Sequence, residues 1–270
     1  ASDVYKRQLL RFDGKTIALT GAASGIGAAT LELLNETDAD VHAVDLAPIA
    51  PGGHTSYRAD LGDPASITDL TRALPAGIDA LLNCAGVPNG GRFTPAQVMA
   101  VNWFGLRMLT ENLLPAMPEG SAVVHVASTA GRNWQVRQAE LAALLAIDSF
   151  DETMAWVSAN SELVGDGYAL SKEAVCYYTL QRSAASLTRG IRMNSICPGV
   201  TDTPIASDFV AGLGADVIDR AIESAGRIAQ PHEMAPALLF LADELSSSFI
   251  SGVNLTIDRG VKAARITGQF

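Results

Sequence analysis

Short apolar runs alternate with longer amphipathic stretches along most of this 270-residue chain. Six runs are apolar almost throughout, as parallel strands covered on both faces require, and lie at residues 16–20, 41–45, 80–83, 122–127, 191–196 and 253–257. The stretches between them have helical spacing, at residues 26–35, 65–73, 95–114, 168–187 and 233–242. This β-α-β order predicts an α/β fold, a doubly wound parallel sheet with helices on both faces.

The composition restricts the kinds of partner. A formal net charge of -10 argues against a nucleic-acid surface, which needs clustered Lys and Arg. The apolar run 141–147 is too short to cross a bilayer. Three scattered cysteines, Cys84, Cys176 and Cys197, predict neither a disulfide framework nor a metal site and favour a reducing compartment. We expect a cytoplasmic protein that binds a small molecule and no metal, nucleic acid or membrane.

The domain organisation follows from the absence of repeats and of a Pro/Gly/Ser linker in the sequence. We expect one domain over residues 9–270. Residues 1–8 have no periodicity and are interpreted as a tail, disordered or a remnant of expression or sequencing. Residues 132–165 depart from the alternation of strands and helices, because a helix-like piece at 138–147 precedes a polar, acidic region at 148–162. This segment predicts an insertion in the β-α rhythm.

A glycine-rich loop follows the first strand and opens the first helix. Glycines there allow a tight turn and a close approach of the backbone to a pyrophosphate, whose charge the helix N-terminus stabilises. The loop predicts a phosphate-bearing cofactor, and an ordinary strand-to-helix turn is the alternative. The cofactor-binding residues expected in it are Gly21, Ser24, Gly25, Ile26 and Gly27.

Asp45 ends the second strand and is followed by Leu46. An acidic side chain at this point accepts hydrogen bonds from an adenosine ribose and repels a 2′-phosphate. Residues 46–49 contain no Arg that would favour the phosphate. NAD is therefore predicted over NADP, with a plain strand-end turn as the alternative role of Asp45.

Two further loops fall at the carboxyl edge of the predicted sheet, where ligands of open α/β sheets gather. Asp60 and Leu61 begin one loop, and Asn83, Ala85 and Gly86 close the fourth strand predicted along the chain. Either loop alone is as consistent with structure as with cofactor binding.

Tyr168 and Lys172 lie at the start of a predicted helix. A spacing of four residues puts them on one face, one turn apart. An ammonium near a phenol lowers the pKa of the phenol, so the pair predicts a general acid/base. By itself such a pair is more often a surface contact, so the hypothesis depends on other residues.

Ser128 and Asn102 are the two other candidate catalytic residues. Ser128 ends a strand, where its hydroxyl can position a substrate oxygen. Asn102 falls within a long predicted helix, where Asn is unfavourable and suggests a role such as holding a water or contacting Lys172. A simple polar residue within a helix is the alternative for Asn102.

Together these motifs resemble the classical short-chain dehydrogenase/reductase family, in the family's order, from about residue 15 to residue 258. The resemblance implies a Rossmann-type sheet of about seven strands and a catalytic tetrad at Asn102, Ser128, Tyr168 and Lys172. It also implies that Tyr168 and Lys172 contact the cofactor, and that a segment near the nicotinamide contains Pro198, Gly199, Val200 and Thr203.

Two features depart from the family pattern. Cys84 stands where the family usually has a second Asn, and Ser128 and Tyr168 are 40 residues apart. The insertion at 132–165 resembles that of the bacterial 3α-hydroxysteroid dehydrogenase/carbonyl reductase branch and of the related coniferyl-alcohol dehydrogenases. In that branch the extra segment implies a homodimer in place of a tetramer.

The resemblance predicts an NAD(H)-dependent interconversion of a secondary alcohol and a ketone, with Tyr168 transferring the proton. Oxidation of an aryl, coniferyl-type alcohol is one alternative. A non-catalytic NAD-sensing or scaffold protein is another, and an epimerase or dehydratase on the same fold is a third. All four tetrad residues are present, which favours an enzyme over the scaffold.

The substrate region is expected to include a mobile lid at residues 203–230, which contains Gly212, Gly214 and Gly226. Three aromatic residues, Trp134, Trp156 and Phe209, are candidate contacts for a bulky or cyclic substrate. Packing within the protein is the alternative for each of them.

Overall fold

The computed structural model describes residues 11–90, 92–206 and 216–269. Seven parallel strands form one sheet in the order β3-β2-β1-β4-β5-β6-β7. Their bounds are Thr16–Thr20 (β1), Asp40–Asp45 (β2), His54–Arg58 (β3), Ala80–Asn83 (β4), Ala122–Val126 (β5), Arg192–Pro198 (β6) and Asn254–Ile257 (β7). The prediction of a doubly wound parallel sheet is confirmed.

β3 is the strand that the apolar pattern does not reveal. It lies at one edge of the sheet, and its residues are exposed or half-buried. The strands β4, β5 and β6 are buried along their whole length. β4 and β5 are apolar except for Asn83 and His125, whereas β6 also buries Arg192, Asn194 and Ser195. The chain order reverses between β1 and β4, which opens a crevice at the carboxyl edge of the sheet.

Helices cover both faces of the sheet. Those with both ends in the described residues include Gly25–Leu34 (α1), Pro64–Ala73 (α2), Pro95–Met99 (α3), Leu106–Leu113 (α4), Gln138–Leu145 (α5) and Phe150–Ala159 (α6). They also include Ser161–Val164 (α7), Tyr168–Leu187 (α8), Asp216–Ala225 (α9), Pro231–Ala242 (α10), Glu244–Ser247 (α11) and Val261–Ile266 (α12). Within the described ranges, no helix has both the length and the apolar character needed to cross a membrane.

The long helix predicted at 95–114 is interrupted. A π-helical segment, Ala100–Gly105, separates α3 from α4. Gly105 makes this possible, because a Cβ on it would lie 1.9 Å from the Leu61 carbonyl oxygen. The loop after β3 therefore presses directly against the segment that carries Asn102.

The segment between Ser128 and Tyr168 is largely helical: the helix-like piece expected at 138–147 is α5, and the polar, acidic region at 148–162 also forms helices. After a 3-10 turn at Thr129–Asn133, the helices α5, α6 and α7 fill most of it. Ser149 caps α6 by accepting a hydrogen bond from the Glu152 backbone at 3.2 Å. The acidic residues Asp151 and Glu152 lie in the first turn of α6, where they complement the helix dipole.

The insertion ends at Gly167, which has a φ of 84° and stands directly before α8. A Cβ on Gly167 would lie 2.6 Å from the Pro95 carbonyl oxygen, so only glycine fits between α3 and α8. The start of the helix that carries Tyr168 and Lys172 is thereby packed against α3.

Candidate active site

One cavity of about 1400 Å³ opens at the carboxyl edge of the sheet. It is lined by every catalytic and cofactor-binding residue expected from the sequence except Asn83 and Asn102. The structure thus brings together the segments that follow β1, β2, β4, β5, β6 and β7. Residues 207–215 of the expected lid, with Phe209, Gly212 and Gly214, lie outside the described residues.

The glycine loop is shaped by close backbone contacts. A Cβ on Gly27 would lie 2.0 Å from the Gly21 carbonyl oxygen, and a Cβ on Gly21 would lie 2.7 Å from the Ala85 nitrogen. Within the described part of the chain, no side-chain hydrogen bond from Ser24 caps α1. The uncapped N–H groups and the narrow cradle suit the phosphates of a dinucleotide.

Asp45 contributes both to the local turn and to the cavity wall. Its carboxylate accepts hydrogen bonds from the backbone of Ala23 and of Ala47, both at 2.9 Å. The sheet register places Arg58 of β3 beside Asp45, where Arg58 donates to the Leu46 carbonyl oxygen at 3.2 Å. This arginine is distant in the sequence, and only strand pairing brings it close.

The side chain of Asn83 faces the core and not the cavity. Its amide nitrogen donates to Thr110 at 3.0 Å and to Nδ1 of His125 at 3.1 Å. Burial lowers the pKa of His125 to about 3, so the ring is neutral and accepts this bond. Asn83 therefore ties β4 to α4 and β5, and its expected cofactor contact is not formed by the side chain.

Tyr168, Ser128 and Lys172 converge at the ends of β5 and α8. The hydroxyls of Tyr168 and Ser128 share a hydrogen bond. Lys172 donates from Nζ to the Val126 carbonyl oxygen at 3.0 Å and lies 5.7 Å from the centre of the Tyr168 ring. The fold therefore brings Ser128 and Tyr168 together, although they are 40 residues apart in the sequence.

The expected lowering of the Tyr168 pKa is wrong for this arrangement. Burial raises the pKa of Tyr168 to about 12, although the hydrogen bond from Ser128 lowers it, and Asp166 raises it further. Burial also lowers the pKa of Lys172 to about 8. Lys172 points at a carbonyl oxygen and not at the phenol, so its charge does not offset the cost of burying a phenolate.

Asn102 holds the backbone that follows β4 through two hydrogen bonds. Its carboxamide accepts from the Val87 nitrogen at 2.7 Å and donates to the Val87 oxygen at 2.9 Å. A direct bond to Lys172 is not formed, but a Cβ on Gly86 would lie 3.2 Å from Oδ1 of Asn102 and 3.6 Å from Nζ of Lys172. Asn102 therefore positions the loop that lies against Lys172.

Two aromatic contacts expected from the sequence are wrong. Trp134 and Trp156 do not line the cavity, because both pack against the main core. Trp134 lies 6.4 Å from the ring of Tyr177 on α8. Trp134 thus fastens the start of the insertion to α8. Among the described residues, the aromatic side chain on the cavity wall besides Tyr168 is Phe93.

Sequence reasoning missed Asp166 and a group of basic residues on the cavity wall. Asp166 accepts hydrogen bonds from Asn89 and from the backbone of Tyr168, so it holds the start of α8. Its position two residues before the helix was the available signal. Of the basic residues, Arg227 comes from a distant segment, and Arg259, Lys262 and Arg265 follow β7 at intervals of three residues.

The chain matches family models and known proteins along most of its length. Residues 15–160 match the model of the short chain dehydrogenase family, and residues 136–262 match one described as enoyl-(acyl carrier protein) reductase. The chain is 33% identical to the coniferyl-alcohol dehydrogenase of Pseudomonas sp. strain HR199, over 95% of this chain and 100% of that protein.

A second relative is the 3-alpha-hydroxysteroid dehydrogenase/carbonyl reductase of Comamonas testosteroni, 31% identical over 94% of this chain and 99% of that protein. Among solved structures, the 3-alpha-hydroxysteroid dehydrogenase of Pseudomonas sp. B-0831, complexed with NADH, aligns with a TM-score of 0.81 and 30% identity. That alignment covers 95% of this chain and all of the other. The resemblance drawn from the sequence motifs is confirmed.

Proposed function

The chain belongs to the short-chain dehydrogenase family and is an oxidoreductase acting on CH–OH groups, and from this premise we propose that it interconverts a secondary alcohol and a ketone with NAD(H). The observation that carries the proposal is the hydrogen bond between Tyr168 and Ser128 on the cavity wall. Two converging hydroxyls can bind one substrate oxygen and fix its position.

In the proposed reaction, Ser128 and Tyr168 hold the oxygen of the substrate. During reduction the Tyr168 phenol gives its proton to the carbonyl oxygen, and during oxidation the phenolate takes the proton of the alcohol. When bound, the nicotinamide supplies the centre that gives or accepts the hydride at the same carbon. Lys172 holds the cofactor ribose, and Asn102 keeps the neighbouring loop in place.

The raised pKa of Tyr168 gives the two directions different pH dependences. With a pKa of about 12 the phenol is protonated at neutral pH and is ready to donate during reduction. Oxidation needs the phenolate, whose fraction rises about tenfold per pH unit below that pKa. We therefore expect alcohol oxidation to accelerate with rising pH, whereas ketone reduction proceeds at neutral pH.

NAD is the proposed cofactor in preference to NADP. The negative charge of Asp45 on the cavity wall supports this choice, because it would repel a 2′-phosphate. Arg58 on the neighbouring strand lies outside the cavity lining, so it does not offset Asp45 there.

Two substrate classes follow from the relatives. A hydroxysteroid or another cyclic alcohol is the first, and the size of the cavity, about 1400 Å³, leaves room for a ring system beside a dinucleotide. An aryl alcohol of the coniferyl type is the second, favoured by the 33% identity to the dehydrogenase of that alcohol.

We also propose that residues 9–270 act as one unit, that the protein forms homodimers and that it works in a reducing, cytoplasmic setting. The contact of α5 with α8 supports the dimer, since it covers part of the long helix. The free thiols of Cys84, Cys176 and Cys197 support the compartment. Light scattering after size-exclusion chromatography tests the dimer, and a tetramer would contradict it.

The function is tested with a panel of hydroxysteroids, aryl alcohols and small cyclic alcohols, with NAD and NADP in parallel. The absorbance of the reduced nicotinamide reports turnover. We expect NADH formation with at least one ring alcohol and a preference for NAD. Absence of turnover across the panel would contradict the proposal, and net NADH formation would exclude an internally recycled cofactor.

A further inference from the structure

The charges on the cavity wall are distributed unevenly. Segments after β6 and β7 contribute four basic residues, Arg227, Arg259, Lys262 and Arg265, and two acidic ones, Glu233 and Asp258. Segments after β1, β2 and β3 contribute Asp45 and Asp60 and, among the described residues, no basic one. A chain with a net charge of -10 thus carries a local excess of positive charge at one end of its cavity.

The two acidic residues at this end are already engaged. Glu233 forms a bidentate ion pair with Arg227, with both N–O distances at 2.6 Å. Asp258 accepts hydrogen bonds from the backbone of Gly260 at 3.0 Å and of Lys262 at 2.8 Å. Backbone hydrogen bonds leave the charge of Asp258 in place, so Arg259, Lys262 and Arg265 together with Asp258 carry an excess of two positive charges.

Arg259, Lys262 and Arg265 have no acidic side chain within 4.0 Å anywhere in the described ranges. Lys262 donates from Nζ to the Thr256 hydroxyl at 3.2 Å. Lys262 and Arg265 are three residues apart on α12, so they lie on one side of it, and Arg259 belongs to the turn before the helix. All three line the cavity and are exposed to solvent, so this row of cations lies at its mouth.

Arg259 also has an unusual backbone conformation. Its φ of 54° is the only positive value at a non-glycine residue in the part of the chain that the structure describes. An L-residue in this region costs about 1–2 kcal/mol, which glycine would avoid. The guanidinium of Arg259 lies beside Gly226, since a Cβ on Gly226 would lie 3.6 Å from Nη1 of Arg259.

The sheet fixes where this group lies relative to the reaction. β7 is four strands from β1, or about 19 Å across the sheet, so the cations are too far from the glycine loop to serve the cofactor pyrophosphate. β7 is two strands from β5, which carries Ser128 at its end, or about 10 Å. The row of cations therefore follows a strand that lies nearer to Ser128 than to the glycine loop.

We propose that Arg259, Lys262 and Arg265 bind a carboxylate of the substrate, so that the protein prefers hydroxy acids whose carboxylate lies about 10 Å from the carbinol carbon. This inference rests on the proposed function, since it names the substrate class of the same cavity. Arginine suits the task because its planar guanidinium pairs with a carboxylate in a bidentate manner.

The test compares acids with their neutral amides at equal ring size. The probes are 4-hydroxycyclohexanecarboxylate and 3-(4-hydroxycyclohexyl)propanoate, each beside its carboxamide, with NAD as oxidant. We expect kcat/KM to favour the acids at least tenfold, more so for the longer acid, and 0.5 M salt to reduce this ratio. Equal values for acid and amide would overturn the carboxylate site.

Arg259→Gly is the informative variant, because glycine accepts the positive φ without cost and the melting temperature is not expected to fall. The acid-to-amide ratio should drop about tenfold in this variant. Arg72→Gln is the matched control, since Arg72 lies outside the cavity lining and its side chain is 74% exposed. An unchanged ratio in Arg259→Gly would overturn the proposal.

A binding measurement separates failure of this inference from failure of the proposed function. Cyclohexanecarboxylate and cyclohexanecarboxamide are titrated calorimetrically into wild type and Arg259→Gly with NADH present. If wild type binds the acid, Arg259→Gly does not bind it, and no alcohol is turned over, the proposed function is overturned and the carboxylate site is retained. Turnover of neutral alcohols, without preferential binding of the acid, would overturn the site alone.

Discussion

The two ends of the cavity are built by different means. After β1 and β2, the backbone shapes the wall, because Gly21 and Gly27 fit where a Cβ would collide with neighbouring main-chain atoms. After β6 and β7, long side chains such as Arg227, Arg259 and Arg265 shape it. The cofactor end is therefore encoded by a short local motif, whereas the substrate end depends on segments that meet only in the fold.

Among the substitutions that test the two ends of the cavity, the largest effect is expected at the cofactor end. In Gly27→Ala the new methyl would lie 2.0 Å from the Gly21 oxygen, so the loop must shift. We expect NADH affinity, measured by fluorescence titration, to fall more than about 100-fold, an estimate based on the loss of several phosphate contacts.

Gly53→Ala is the control for this substitution, because the nearest atom to its added methyl is 3.9 Å away. Its NADH affinity should match that of wild type. An affinity of Gly27→Ala within threefold of wild type would show that the glycine loop does not bind the cofactor.

Lys172 gives the next largest effect, at the junction of the two ends. Lys172→Met should lower kcat/KM about 100-fold, as expected for loss of a group that holds the cofactor near the acid/base. Lys15→Met, at the amino end of β1 and outside the cavity lining, is the control. Activity of Lys172→Met near that of wild type would remove Lys172 from the site.

The same variant should be more stable than wild type at neutral pH. Because burial lowers the pKa of Lys172 to about 8, the folded state disfavours its proton, and stability rises with pH between about 8 and 10.5. Below pH 8, removing the buried charge should raise the free energy of unfolding by roughly 3 kcal/mol. The lost hydrogen bond to Val126 should lower it by about 1 kcal/mol. Thermal denaturation should show a Tm about 5 °C higher at pH 7, with the gain vanishing toward pH 10.

Asp45 tests the charge at the cofactor end. Asp45→Asn keeps a hydrogen-bond acceptor and removes the negative charge, so the ratio of kcat/KM for NAD to that for NADP should fall about tenfold. Asp69→Asn on the exposed face of α2 should leave the ratio unchanged. If the ratio is unchanged in Asp45→Asn, Asp45 stabilises only the local turn and does not select the cofactor.

The smallest effect is expected where the insertion meets α8. Arg137 precedes α5 and lies 3.4 Å from the carboxylate of Glu173, which is 1% exposed. Arg137→Met leaves that carboxylate buried without its partner and should reduce the free energy of unfolding by about 2 kcal/mol. The double variant with Glu173→Gln should recover most of the loss in chemical denaturation, and a loss that persists would mean that packing, not charge, joins the insertion to α8.

The sequence predicted the parts of the molecule that depend on neighbouring residues. β1 and β4, the glycine loop and the start of α8 lie where the local patterns indicate. β3 was not predicted because a polar edge strand has no apolar run. α6 was not predicted because only Thr153 and Val157 of it are buried, which leaves no clear apolar stripe in the sequence.

The remaining differences come from tertiary structure. The side chain of Asn83 turns to Thr110, and Trp134 turns to Tyr177, because residues far along the chain provide their partners. The pKa of Tyr168 depends on burial and on the direction of the Lys172 side chain, which the four-residue spacing alone does not determine.

The central claim is that Tyr168 transfers the proton of the reaction, and Tyr168→Phe tests it most directly. The variant removes the hydroxyl that bonds to Ser128 and retains the ring beneath Lys172. Stopped-flow mixing with a ring alcohol and NAD should show a rate of NADH formation at least about 1000-fold below wild type, with NADH binding within threefold. A Phe variant that turns over at the wild-type rate would contradict the account.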